Sequence, residues 1–189
     1  MNTAMSKRVQ VLISTYNGEK YLREQIDSIL RQIGDTQISL LIRDDGSTDG
    51  TQAILREYAE CDECMILVGE NIGVNASMRF LMQEADKTCD YFALSDQDDV
   101  WQPWKVAEEI TMLEGWFPSV PLLAATKSSI TDAELHVLGS SIAIQKGVGF
   151  YNAMIQNVCP GHTQLFNRSL LEVLLQSDAS SANVMDWWI

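Results

Sequence analysis

Apolar positions recur with two alternating periods over the first 116 residues. Arg8 to Ser14 (RVQVLIS) is rich in β-formers and runs into the turn-like Tyr16-Asn17-Gly18. Leu22, Ile26, Ile29, Leu30 and Ile33 then follow helical spacing, and Gly34 is placed to close that helix. Ile38 to Ile42 is a continuous apolar run, as expected for a strand buried on both faces. Asp44-Asp45-Gly46-Ser47 predicts a turn, and Asp49 a cap for a helix carrying Ile54, Leu55 and Tyr58. The cycle repeats: a strand over Met65 to Val68, a helix with the stripe Val74, Met78, Leu81, Met82 and Ala85, and a strand over Tyr91 to Leu94. Pro103 suits the first turn of a helix containing Val106, Ile110 and Leu113. After about Trp116 the pattern weakens, leaving short strands at Leu122 to Ala125 and Gln164 to Phe166, a loop-rich stretch between them, and a helix over Asn167 to Leu175.

Repeated β-α units of this length predict an α/β fold with a mostly parallel sheet and right-handed crossovers. No linker or internal repeat divides the 189 residues, so residues 1–189 are read as a single domain. Its halves are residues 1–116 and 117–189.

In open α/β sheets ligands bind beyond the carboxyl ends of the strands. The acidic clusters of the first half fall at such ends: Asp44 and Asp45 after the second strand, Asp96, Asp98 and Asp99 after the fourth. Carboxylates crowded on one rim raise each other's pKa unless a cation is present, and an all-oxygen set suits Mg²⁺ or Mn²⁺. In an extended segment Asp96 and Asp98 would face one side and Gln97 the other. The bland alternative is a solvated acidic turn.

The net charge of -13 opposes nucleic-acid binding and attraction to an anionic membrane. It also means that an anionic ligand needs local compensation, from a cation or from helix N-termini. No window approaches the roughly 20 apolar residues of a membrane span, so a cytoplasmic protein is expected. Cys61 and Cys64 form a C-x-x-C without a second pair or a histidine at zinc spacing, and read as free thiols.

The segments VLISTYNGEKYLREQIDSILRQ, LLIRDDGSTDGT, ENIGVNASM, YFALSDQDDVWQPWK, PGHTQLFNRSLL and MDWW stand in that order along the chain. Together they resemble the family 2 glycosyltransferases, in particular the bacterial rhamnosyltransferase-like branch that builds surface polysaccharides. The resemblance implies a GT-A-type, Rossmann-like fold and an inverting, metal-dependent transfer of sugar from a nucleotide-diphosphate donor. The donor would be a UDP- or dTDP-sugar, with dTDP-rhamnose as the family-based expectation. The acceptor would be a saccharide or lipid-linked hydroxyl, and peripheral contact with the inner face of the membrane would fit it.

By the same resemblance, Ser14 and Tyr16 would contact the nucleotide, Asp45 would accept the base's imide N–H, and Asp44 would support the ribose or the turn. Asp96 and Asp98 match the D-x-D, with Asp98 the direct metal ligand and Asp96 acting on metal or ribose. Asp186 matches the general base. Tyr16 could instead be a core aromatic and Asp45 a turn former. His162 reads first as a structural histidine. The chain stops three residues after Asp186, where the family continues with helices, so a C-terminally truncated domain is expected. A non-catalytic nucleotide-sugar-binding domain is the alternative function. Phosphatase and nucleotidyltransferase readings are disfavoured, because the first strand ends in Ser14-Thr15-Tyr16-Asn17, with neither an acid nor a basic Gly-rich loop.

Overall fold

Alternation along the central strands builds the fold. In β1 (Lys7–Thr15), Val9, Val11 and Ile13 project into one hydrophobic cluster and Leu12 into another. In β2 (Thr36–Asp44), Leu40 and Ile42 join the first cluster and Leu41 the second. This period-two division gives the sheet two buried faces, and each must be covered. Helices α1 (Leu22–Leu30) and α2 (Thr51–Tyr58) cover the first through Leu22, Ile26, Ile29, Ile54 and Leu55. After β3 (Cys64–Val68), α3 (Val74–Glu84) crosses to the second face and buries Met78, Leu81 and Met82 there. The chain re-enters the sheet as β4 (Tyr91–Ser95), and α4 (Lys105–Leu113) returns to the first face with Val106, Ile110 and Leu113. The computed structural model describes residues 6–141, 151 and 157–177.

Six strands form the main sheet in the order β3-β2-β1-β4-β8-β5, with β5 spanning Leu123–Ala125 and β8 spanning Gln164–Asn167. β1, β2, β3 and β4 are mutually parallel; β8 pairs antiparallel with both β4 and β5. The result is a mostly parallel, mixed sheet with helices on both faces. Because the chain winds outward from β1 to β3 and then restarts at β4, the strand order reverses between β1 and β4. That reversal leaves a crevice at the carboxyl ends of these strands. A 3-10 turn at Gly161–Thr163 leads into β8, and α5 (Arg168–Gln176) packs Leu171 and Leu174 on the second face. Asn167 caps α5 by accepting the Leu170 N–H at 3.1 Å.

Three local expectations are revised. The first helix ends at Leu30 rather than running to Gly34. Ile33 instead donates its N–H to Pro103 at 2.8 Å and is 58% exposed, so docking onto the start of α4 overrides helical spacing. Asp49 is not the cap residue of α2, which is Gly50; its carboxylate accepts the Thr51 N–H from one position earlier, at 3.0 Å. The loop-rich second half contains a hairpin, β6 (Ser129–Thr131) and β7 (Val137–Ser140). No helix among the described residues is long and apolar enough to cross a membrane.

Phe92 of β4 and Phe166 of β8 are fully buried opposite one another, ring centroids 6.0 Å apart, and join the antiparallel strand to the parallel core. Phe92→Ala removes a ring from a site that cannot collapse around the loss. It is expected to cost about 3–5 kcal/mol, read as a lowered midpoint in urea denaturation.

Candidate active site

A cleft of about 470 Å³ lies at the carboxyl ends of β1, β2 and β4. Ser14 and Tyr16 enter it from β1, Asp45 from β2, and Asp96, Gln97 and Asp98 from β4, while Gly73 and Val74 at the start of α3 form its side. Val74 is 65% exposed, so this first position of the predicted apolar stripe faces the cleft rather than the core. Tyr16 is 47% exposed and lies outside the core.

Strand alternation explains which side chains reach the α3 side. Ser14 follows Leu12 on β1, and Arg43 and Asp45 follow Leu41 on β2, so all three project toward α3. Ser14 donates to Ser77 of α3 at 2.6 Å. Arg43, buried to 5% exposure, donates to Ser77 Oγ at 3.1 Å and to the Glu70 carbonyl at 2.9 Å, and pairs with the Asp45 carboxylate. Its guanidinium also lies 5.4 Å from the Phe80 ring centroid.

Asp45 Oδ1 accepts from Arg43 and from the Ile72 N–H at 3.0 Å, and Oδ2 from the Gly73 N–H at 2.9 Å. Burial pushes this carboxyl up, but the Ile72 and Gly73 N–H groups and the Arg43 guanidinium outweigh it and hold the pKa below the usual carboxylate range. Gly46 permits the approach: it sits at φ +81°, and a Cβ there would lie 2.9 Å from the Asn71 backbone nitrogen. Asp44, on the opposite side of the strand, is wholly buried and closes the turn by accepting the Ser47 N–H at 3.0 Å. It is not part of the cleft wall.

Gln97 ties the acidic loop to the loop after β1. Its Oε1 accepts from Thr15 Oγ1 at 2.6 Å and from the Tyr16 N–H at 3.0 Å, and its Nε2 donates to the Tyr16 carbonyl at 3.2 Å. Gln97 is thus bonded to the loop after β1 while it also lines the cleft between Asp96 and Asp98, so the expected separation of the two sides by alternation is not kept. The loop then bends at residues 97 and 98, and strict alternation stops there. Asp99 consequently turns inward while Asp98 stays exposed on the cleft wall.

Asp96, Asp99 and His162 each offer a ligand atom within 4.8 Å of one another. His162 Nδ1 is 3.4 Å from Asp96 Oδ2. The hydrogen bond to Asp96 raises the His162 pKa against the opposing effect of burial. Burial also raises the Asp99 pKa, with the charges of Asp96 and Asp98 adding to it. Asp99 Oδ2 is buried without a hydrogen-bond partner among the described residues. An orphaned carboxylate oxygen beside an imidazole and a second carboxylate is a donor set that fits Mg²⁺ or Mn²⁺. Asp186 lies outside the described residues.

Behind Asp99, Lys105 and Glu109 form a buried ion pair on α4, the ammonium 2.9 Å from both carboxylate oxygens and 4.0 Å from the Trp101 ring centroid. Thr126 donates to the same carboxylate at 2.9 Å. Burial pushes the Lys105 pKa down and that of Glu109 up, each opposed by its partner.

Residues 10–175 match the profile of Glycosyl transferase family 2. The chain belongs to this family. Among its curated relatives, the dTDP-rhamnosyl transferase RfbG of Shigella flexneri is 35% identical over 106 residues, which cover 53% of this chain and 36% of RfbG. The putative teichuronic acid biosynthesis glycosyltransferase TuaG of Bacillus subtilis is 30% identical over 107 residues, 56% of this chain and 41% of TuaG. The chain spans about a third of the length of the first curated relatives it matches. Residues 1–349 of S. aureus TarS in complex with UDP superpose with a TM-score of 0.62 at 16% identity, over 95% of this chain and 53% of that one. The mannosyltransferase PcManGT of Pyrobaculum calidifontis, in complex with GDP-Man and Mn²⁺, superposes at 0.59 with 22% identity, over 88% and 46%. The fold is thus the GT-A type.

Sequence reasoning passed over Arg43, Ser77, Lys105 and Glu109, and weighed His162 mainly as structural. A usable signal existed for Arg43: a charged residue continuing a run that reads as buried on both faces must be paired. No local signal marked Lys105 and Glu109, whose i, i+4 spacing reads equally as a solvated surface pair.

Two outcomes follow from these contacts. Lys105→Met alone strands a buried carboxylate and is expected to cost about 3–5 kcal/mol, whereas adding Glu109→Leu recovers most of the loss, as a double-mutant cycle in denaturant would show. Because folding lowers the Asp45 pKa, its contribution to stability is complete above the ordinary carboxylate value of about 3.9. It is lost as pH falls through the lower folded value, so Asp45→Asn is expected to flatten the stability-pH curve of the acid limb.

Proposed function

We propose that this chain carries the donor site of an inverting, divalent-cation-dependent glycosyltransferase. It would move a sugar from a UDP- or dTDP-sugar to a hydroxyl of a saccharide or lipid-linked acceptor in surface polysaccharide synthesis. The observation that carries this reading is the convergence of Ser14, Tyr16, Asp45, Asp96 and Asp98 on one cleft at the switch point of the sheet. RfbG, named for dTDP-rhamnosyl transfer, supports dTDP-rhamnose as the donor. The work would belong to the cytoplasmic side of a membrane, with peripheral contact at its inner face.

Tyr16, exposed at the cleft mouth, stacks beside the base, and Ser14 holds the nucleoside from the end of β1. Asp45 accepts the imide N–H. Asp44 supports this arrangement from behind by fixing the Gly46 turn. Asp96, Asp99 and His162 would hold the cation, with Asp98 beside them on the wall and Asp96 also within reach of the ribose. When bound, Mg²⁺ or Mn²⁺ supplies Lewis-acid stabilisation of the charge on the departing diphosphate. Asp186 takes the proton of the acceptor hydroxyl as it attacks from the face opposite the diphosphate, and a single displacement inverts the anomeric carbon.

A thermal-shift panel of nucleotide diphosphates with and without Mn²⁺ tests the reading. At a hundredfold excess over Kd, stabilisation of roughly 5–10 °C is expected, and only with metal present. Asp99→Ala and His162→Ala are expected to abolish it. Asp186→Ala should retain it while transfer of radiolabelled sugar disappears. Unchanged metal-dependent binding in both Asp99→Ala and His162→Ala would reject the site, and binding without turnover of donor by the wild type would leave a nucleotide-sugar-binding domain instead.

A further inference from the structure

Arg43 does more than neutralise a neighbour. An ionised carboxylate offers about four acceptor positions, two on each oxygen. In Asp45 three are already engaged. Arg43 Nη1 and the Ile72 N–H fill Oδ1, and the Gly73 N–H takes one position on Oδ2. Among the described residues nothing takes the fourth position, on a group that borders the cleft. Neither protein donor to Oδ1 is free to leave. Arg43 is pinned by Ser77 Oγ and by the Glu70 carbonyl, over the Phe80 ring. Gly69 lets the guanidinium sit close to the backbone, since a Cβ there would fall 2.6 Å from Arg43 Nη2. Ile72 is held by the loop that approaches Gly46.

We infer that Arg43 is a specificity-determining positioning residue, which restricts Asp45 to one outgoing acceptor and so selects a base presenting a single N–H between carbonyls, uracil or thymine, over guanine. The inference rests on the nucleotide-diphosphate reading of the cleft and deepens it. Guanine presents N1–H and an exocyclic amine side by side. A carboxylate with both oxygens open takes that pair, one N–H to each; Asp45, with Oδ1 occupied, leaves the second donor without a partner. The fold alone does not decide the base, since a UDP complex and a GDP-mannose complex both occur among chains that share it.

Arg43 reaches the base only through Asp45, so the decisive readout is a ratio between bases rather than affinity or stability. Titrations in Mn²⁺ with UDP, dTDP, GDP and N3-methyl-UDP, which lacks the imide N–H, supply it. In the wild type, UDP and dTDP are expected to bind roughly tenfold or more tightly than GDP and N3-methyl-UDP, the consequence of one unpaired donor or one lost bond. R43M frees the second position on Oδ1 and should bring the UDP-to-GDP ratio toward unity; R43K, which keeps a donor there, should restore part of the preference. A residue with a merely structural role would weaken all four ligands together and leave the ratio unchanged, and that result overturns the inference. Should R43M fail to fold, the wild-type ranking still decides: equal binding of UDP and GDP, or of UDP and N3-methyl-UDP, overturns it. Failure of every nucleotide to bind in Mn²⁺ would instead reject the donor-site reading itself, and this inference with it.

Discussion

A parallel sheet that carries carboxylates at the ends of β2 and β4 brings like charges to one edge, and the site depends on how each of them is compensated. Asp45 is buried, and a buried carboxylate is tolerable only when it is paired and hydrogen-bonded. Arg43 and the amides of Ile72 and Gly73, just ahead of α3, provide both. The positive end of α3 adds to the effect, since unpaired N–H groups at a helix start favour an anion. Asp96, Asp98 and Asp99 have no such guanidinium. Their compensation comes in part from His162 and Lys105, and a gap remains at Asp99 Oδ2 that a divalent cation fits.

These two solutions divide the cleft into unlike halves. On the β2 side the polar groups are saturated and rigid, so that one acceptor position is presented in a fixed place. On the β4 side the carboxylates are exposed or under-bonded. Gln97 joins the halves by clamping the acidic loop to the Thr15 hydroxyl and the Tyr16 backbone. A shift of either loop would therefore be felt by the other.

The antiparallel strand β8 has a functional consequence as well as a structural one. It enters the sheet beside β4 through the Phe92–Phe166 contact. The 3-10 turn that precedes it carries His162 to the acidic loop from some 60 residues away in sequence. The same arrangement brings Thr126, just past β5, onto Glu109, so the buried pair of α4 is fixed by the second half of the chain.

The amino-acid sequence alone determined the βα order, the two-sided burial of β2, the placement of acids at strand ends and the family, because each is written in local periodicity or in contiguous motifs. Tertiary structure decided the rest. Ile33 left its helix because a backbone acceptor in a distant segment was available to it. Asp99 rather than Asp98 joined Asp96, because the chain bends where alternation would have had to continue. His162, Arg43 with Ser77, and Lys105 with Glu109 acquired their roles from partners on other elements. Spacing along a chain does not encode those distances; they arise only when separate elements pack against one sheet.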